Sequence, residues 1–149
     1  MANLVDNKKV VFDYEILDSY EAGVQLLGLE VKSLKKGQGS LKGAYVIIRG
    51  EEAFLVNANI PPYQPANTDS SYDPERPRRL LLTKKEINIL GSKEQEKGLT
   101  IVPISLYNKG DKVKLRLAVA RGKKKYDKRE TIKKREAKRE IGRTLKKEY

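Results

Sequence analysis

The chain has 149 residues, 38% of them apolar, enough for one domain with a real core plus an extension. It contains no cysteine and no histidine, which excludes disulfides, thiol catalysis, zinc ribbons and any His-based triad, and makes a reducing cytoplasm the expected compartment. The net charge of +12 is uneven: residues 1–120 hold 18 Lys/Arg against 15 Asp/Glu, and residues 121–149 hold 14 against 5, an asymmetry that favours a polyanionic partner, nucleic acid before a membrane surface.

The N-terminus has no apolar h-region, so no signal peptide is expected, and no stretch approaches the ~20 apolar residues of a membrane span. Val10, Phe12, Tyr14 and Ile16 alternate, which predicts a half-buried strand. Val24, Leu27, Val31 and Leu34 recur at three and four residues, the period of a helix, and Gly37 closes it. That helix would turn Glu30, Lys32 and Lys35 away from its apolar stripe. Ala44, Val46 and Ile48 alternate, then Phe54, Val56, Ala58 and Ile60, with a turn at residues 49–52 between them, which predicts a hairpin.

Residues 61–79 hold five of the six prolines. A loop this long inside a compact domain is functional or locally mobile. Arg76, Arg78 and Arg79 at its end are either phosphate contacts or a solvated loop end. Thr83 with Glu86 and Ser92 with Gln95 form two capping boxes, and Gly91 and Gly98 suit the matching helix ends. The expectation is a two-turn helix, a break and another short turn. Residues 99–107 and 112–120 alternate and predict a second hairpin, in which Pro103 signals an edge or a bulge.

The sum is a mostly β chain of five or six antiparallel strands with one helix early and one late. A small, closed or partly open antiparallel barrel fits best, with an α+β sandwich as the alternative. Residues 1–121 form this body and residues 122–149 a basic tail. In the tail Ala137, Ile141, Leu145 and Tyr149 recur every fourth residue, a line that drifts by about 40° per step on a helix. So thin a stripe cannot repay its ordering. The tail is therefore expected to be disordered alone and helical against a polyanion. The acidic residues are scattered, which leaves a carboxylate–magnesium nuclease as a distant rival.

Five motifs then occur in order: "YEAGVQLLGLEVKSLKKG" (20–37), "NANIPPY" (57–63), "DPERPRRLLLTKKEI" (73–87), "GLTIVPISLY" (98–107) and "ARGKKKYDKRETIKKRE" (120–136). Together they resemble the SsrA-binding protein family, small protein B. The resemblance implies an OB-fold-like barrel with flanking short helices and a basic C-terminal tail. It implies an adaptor with no catalytic residues, cofactor or metal. The implied partners are the tRNA-like domain of transfer-messenger RNA, the decoding centre and empty mRNA channel of a stalled ribosome, and, through the charged RNA, elongation factor Tu. The chain itself is expected to be monomeric and away from membranes. The rival within RNA binding is a general ribosome-associated or initiation-type barrel.

Carried over by motif, the RNA-binding candidates are Asn7, Lys8, Lys9, Glu30, Lys32, Ser33, Lys36, Arg121, Gly122, Lys123 and Lys124. Candidates for the decoding centre are Tyr126, Asp127, Lys128, Arg129, Lys133, Lys134, Arg135, Ile141 and Leu145, with Tyr126 placed to stack on a base. The chain departs from the family at Phe12, Asn59 and Thr83, where histidine is usual, and at Thr144, where the tail motif is usually apolar. Contacts that depend on those side chains do not transfer.

Overall fold

The computed structural model describes residues 3–123. In chain order these form β1 (Asn3–Asp6), α1 (Lys8–Asp13), β2 (Tyr14–Val24), α2 (Gly28–Lys35), β3 (Tyr45–Arg49), β4 (Glu52–Val56), a 3-10 turn at Pro65–Asn67, β5 (Arg78–Leu81), α3 (Lys84–Gln95), β6 (Leu99–Lys109) and β7 (Lys112–Gly122). The strands make one sheet in the order β1-β6-β7-β2-β5-β4-β3, and every pairing is antiparallel. The sheet curls so that β3 also packs against β6. One core fills the interior, with Leu34, Leu55, Leu80, Leu106, Leu115 and Leu117 all buried in it. This is the mostly β, OB-fold-like architecture with short helices that the sequence implies.

Several elements differ from the sequence reading. The described residues contain seven strands because β1 and β5 are short and carry little alternation. Residues 10–13 are helical, not extended, and the strand begins only at Tyr14. One turn of helix suffices to bury Val10 against Val102, Ala120 and Tyr14 while Val11 faces solvent. In β4 the inward residues are Ala53 and Leu55, not Phe54. Asn57, at a positive φ of 62°, breaks that strand, so Ala58 and Ile60 are buried beyond its end.

Helix α3 is continuous from Lys84 to Gln95. Thr83 caps it, its Oγ1 accepting from the Glu86 amide at 3.2 Å while Glu86 accepts from the Thr83 amide at 3.1 Å. The Ser92–Gln95 box goes unused, because tertiary contacts hold the chain helical past Gly91. Glu94 accepts from the Ile48 amide at 2.7 Å and from Arg49 at 2.9 Å. It thereby satisfies an amide of edge strand β3 that no neighbouring strand covers. Pro103 lies in β6 between β1 and β7, with the register shifted between Pro103 and Ser105. It marks a bulge and not an edge.

The residue 61–77 segment is tied down through Glu30. This carboxylate is 0% exposed, although the helical period turns it outward. It accepts from the Leu27 amide at 2.8 Å, from Arg76 Nε at 3.1 Å, from Arg78 Nε at 2.8 Å and from the Tyr72 hydroxyl at 3.1 Å. Arg78, also 0% exposed, donates further to the carbonyls of Ala58, Pro74 and Arg76. Tyr72 donates to Ile60 O at 2.7 Å as well, and the Ile60 amide donates to Pro74 O at 2.9 Å. Arg76 and Arg78 are thus internal ligands of Glu30 and not a phosphate-facing loop end. Arg79 is exposed and lies 3.7 Å from Glu52.

Burial raises the Glu30 pKa, but hydrogen bonds from Arg76, the Leu27 amide and Arg78 outweigh it and hold the group below its ordinary 4.5. A depressed folded-state value means that the stabilisation is complete above the unfolded-chain pKa of about 4.3 and is lost as the pH falls through the lower folded value. Glu30→Gln leaves two buried or half-buried guanidinium groups short of their counter-charge, and is expected to cost about 3 kcal/mol or more in denaturant unfolding. It should also flatten the loss of stability below pH 4. Exposed Lys35→Gln should stay within about 0.5 kcal/mol.

Candidate nucleic-acid interface

The exposed cations that the family motifs single out lie in two places. The first is where α1 meets the end of β7. Lys8 and Lys9 are exposed on α1, and Arg121 and Gly122 are exposed opposite Glu15 and Tyr14 of β2. Lys123 joins the two elements: its amide donates to Asp13 O at 2.8 Å and its Nζ to Val11 O at 3.0 Å. The described chain therefore ends against the last turn of α1, at the start of the strongest charge run in the sequence. A cleft next to this group is lined by Lys9, Asp13, Tyr14, Tyr45 and Thr100.

Asn7 does not share that surface. Its amide donates to Ile104 O at 2.9 Å, in the bulge of β6. Its buried side chain donates to Pro103 O at 3.0 Å and Leu41 O at 3.3 Å. Asn7 fixes where α1 starts and joins it to the segment before β3. Its side chain is a structural donor, not an exposed RNA contact.

The second place is the C-terminal half of α2. Lys32, Lys35 and Lys36 are exposed, and the latter two stand at the helix end, where the macrodipole favours cations. Lys32 and Lys36 are one turn apart and converge on Tyr63, with their Nζ atoms 5.8 and 4.8 Å from the ring centroid. Ser33 lies between them in sequence but faces inward, donating to Gln38 Oε1 at 3.1 Å. Two of the predicted contacts on α2, Glu30 and Ser33, are therefore buried supports, while Lys32 and Lys36 are on the surface. The sequence reading missed Tyr63. Its signal was an aromatic directly after Pro61–Pro62, which needed the Glu30 network to place it over α2.

Some of the other cations are paired within the body. On the outer face of the sheet Glu21 accepts from the Tyr107 hydroxyl and, at 2.9 Å, from Lys109, while Arg116 lies 5.8 Å from the Tyr107 ring centroid. The Tyr107 hydroxyl is pushed up to about 12 by burial and by Glu21. The three positions that depart from the family's histidines have local roles: Thr83 caps α3, Asn59 pairs with Ser40 through backbone bonds, and Phe12 is half-buried on α1. Lys124, Tyr126, Asp127, Lys128, Arg129, Lys133, Lys134, Arg135, Ile141 and Leu145 lie outside the described residues. Among the described residues no group of carboxylates is arranged to hold a metal, and no helix is long and apolar enough to cross a membrane.

Exposed lysines around an aromatic ring, plus a basic chain exit, are the chemistry of phosphate contact and base stacking. Comparison with known proteins agrees. The family model described as SmpB protein matches residues 4–147. An SsrA-binding protein of Thermosipho africanus is 52% identical over 147 residues, covering 98% of each chain. That of Gloeobacter violaceus is 51% identical, covering 95% of this chain and 93% of its own. A chain from a solved structure described as "tmRNA-SmpB: a journey to the center of the bacterial ribosome" superposes with a TM-score of 0.68 at 40% identity, covering 85% of this chain and 92% of that one.

The burial of Asn7 and the exposure of Lys9 predict opposite outcomes on stability. Asn7→Ala leaves two buried carbonyls without their donor and should cost about 1–3 kcal/mol by denaturant unfolding. Lys9→Ala should stay within about 0.5 kcal/mol.

Proposed function

The chain belongs to the SmpB protein family, and from that premise we propose that it is the protein adaptor that binds transfer-messenger RNA and brings it to stalled ribosomes for trans-translation. The observation that carries this is the coincidence of a near full-length family match with an intact binding chemistry. The exposed lysines of α1 and α2 survive where the family motif predicts them, and the described chain ends in the basic run that begins at Arg121.

The two basic regions divide the work. The body binds the tRNA-like domain through Lys8, Lys9, Lys32, Lys36, Arg121, Gly122 and Lys123. Lysine contacts displace counterions from phosphates, so this part of the affinity falls steeply with salt. Lys124 belongs with these RNA contacts, and the tail beyond it enters the empty mRNA channel, with Tyr126, Asp127, Lys128 and Arg129 at the decoding centre. Lys133, Lys134 and Arg135 follow along the channel, and Ile141 and Leu145 lie on the thin apolar line of a helix that forms on contact. Elongation factor Tu is met through the aminoacylated RNA, not directly. The protein acts as a monomer in the cytoplasm and supplies no bond chemistry; its contribution is placement.

A competition assay at near-physiological salt tests the reading, because low salt strengthens every basic protein's hold on RNA. The tRNA-like domain should be preferred over a matched tRNA and a matched hairpin. Equal binding to all three would favour a general ribosome-associated RNA-binding barrel. A chain ending at Lys125 should retain binding to the tRNA-like domain and lose peptide tagging in a reconstituted stalled-ribosome assay. Normal tagging by that chain would contradict the assignment of the tail.

A further inference from the structure

The geometry points to Tyr63 as a stacking platform for an unpaired nucleobase of the bound RNA, with Lys32 and Lys36 taking the phosphates on either side of that base. This rests on the RNA-binding reading above and names a base-stacking residue within it.

Three observations carry it. First, the two Nζ atoms lie 5.8 and 4.8 Å from the Tyr63 ring centroid, and both lysines are otherwise exposed. A cation over a ring is a weak, displaceable partner at an exposed site. A base can replace it on the ring while the ammonium groups move a short distance onto phosphate oxygens. Second, the ring is held in place before RNA arrives. It follows Pro61–Pro62, whose φ angles are fixed, and Ile60 before them is bonded to Pro74 and Tyr72. The buried Glu30–Arg76–Arg78 cluster fastens that segment to α2 itself, so lysines and ring belong to one rigid unit. Third, the ring is only half-buried and outside the barrel core, so core packing does not account for it.

Stacking and charge leave different signatures. Base stacking tolerates salt, whereas phosphate contact adds to the salt slope. With the full chain and a transcript of the tRNA-like domain, Tyr63→Leu should weaken binding about 10-fold or more and leave the slope of log K against log salt unchanged. Tyr63→Phe should bind like the parent. Lys36→Ala should lower both the affinity and the slope, the latter by about 1. The chain has no tryptophan, so the Tyr63→Trp variant carries a single indole reporter. Its fluorescence should be quenched by the transcript and not by heparin, which offers anionic groups without bases. Thermal unfolding of each variant separates a folding defect from a binding defect, and the indole reading stands if Tyr63→Leu fails to fold. Parent-like affinity of a folded Tyr63→Leu, or indole fluorescence that responds alike to heparin and RNA, would overturn the stacking role. Failure of the parent protein to prefer this RNA over a matched tRNA would count against the underlying function instead.

Discussion

A single buried carboxylate organises the binding face. Glu30 sits on α2, yet its side-chain hydrogen-bond partners come from a segment more than forty residues later. Burying one carboxylate with two guanidinium groups carries a large desolvation cost, and such a cluster persists only when nearly every donor and acceptor is used. Here both Glu30 oxygens are occupied, and Arg78 extends to three backbone carbonyls. The consequence is geometric. A proline-rich segment that would otherwise be free to move becomes part of the same body as α2, and Tyr63 is delivered between Lys32 and Lys36. The exposed lysines and the ring lie on the surface, but their placement comes from an ion cluster centred on the buried Glu30.

Arginine and lysine divide their roles accordingly. The planar, multidentate guanidinium suits a buried carboxylate, and Arg76 and Arg78 are used that way. Lysine keeps its ammonium strongly hydrated and mobile, and the body's outward cations on α1 and α2 are lysines. Composition left Arg76, Arg78 and Arg79 as either phosphate contacts or a solvated loop end, because a run of charge in a loop usually faces solvent. Only the fold shows that the counter-charge was supplied from within. Glu30 is the mirror case: helical periodicity put it outside, because one carboxylate cannot announce two distant arginines.

The alternating segments were legible in the sequence. The long β6–β7 hairpin, the β3–β4 hairpin and the Thr83 cap of α3 follow from local patterns, and so does α2, although Val24, read as its first apolar residue, ends β2 instead. The errors share a cause, which is tertiary contact overriding local pattern. Val10 gains more from one helical turn against Val102 and Ala120 than from a strand. Gly91 does not end α3, because Glu94 reaches the β3 edge beyond it. Asn7 and Ser33 stand in their motifs as RNA-contact candidates, but their polar groups are spent on buried carbonyls and a neighbouring side chain. Sequence resemblance locates such residues without separating those that touch RNA from those that shape the residues that do.

The central claim is that transfer-messenger RNA lies across α2, the 61–77 segment, α1 and the end of β7. Amide hydrogen exchange of the full chain, with and without the tRNA-like domain, tests it most directly. Exchange should slow on binding at residues 8–13, 32–38, 60–64 and 121–123, and should be unchanged along the β3–β4 hairpin and the solvent face of α3. Protection confined to the β3–β4 hairpin and α3, with α2 and the Tyr63 segment unaffected, would contradict the account.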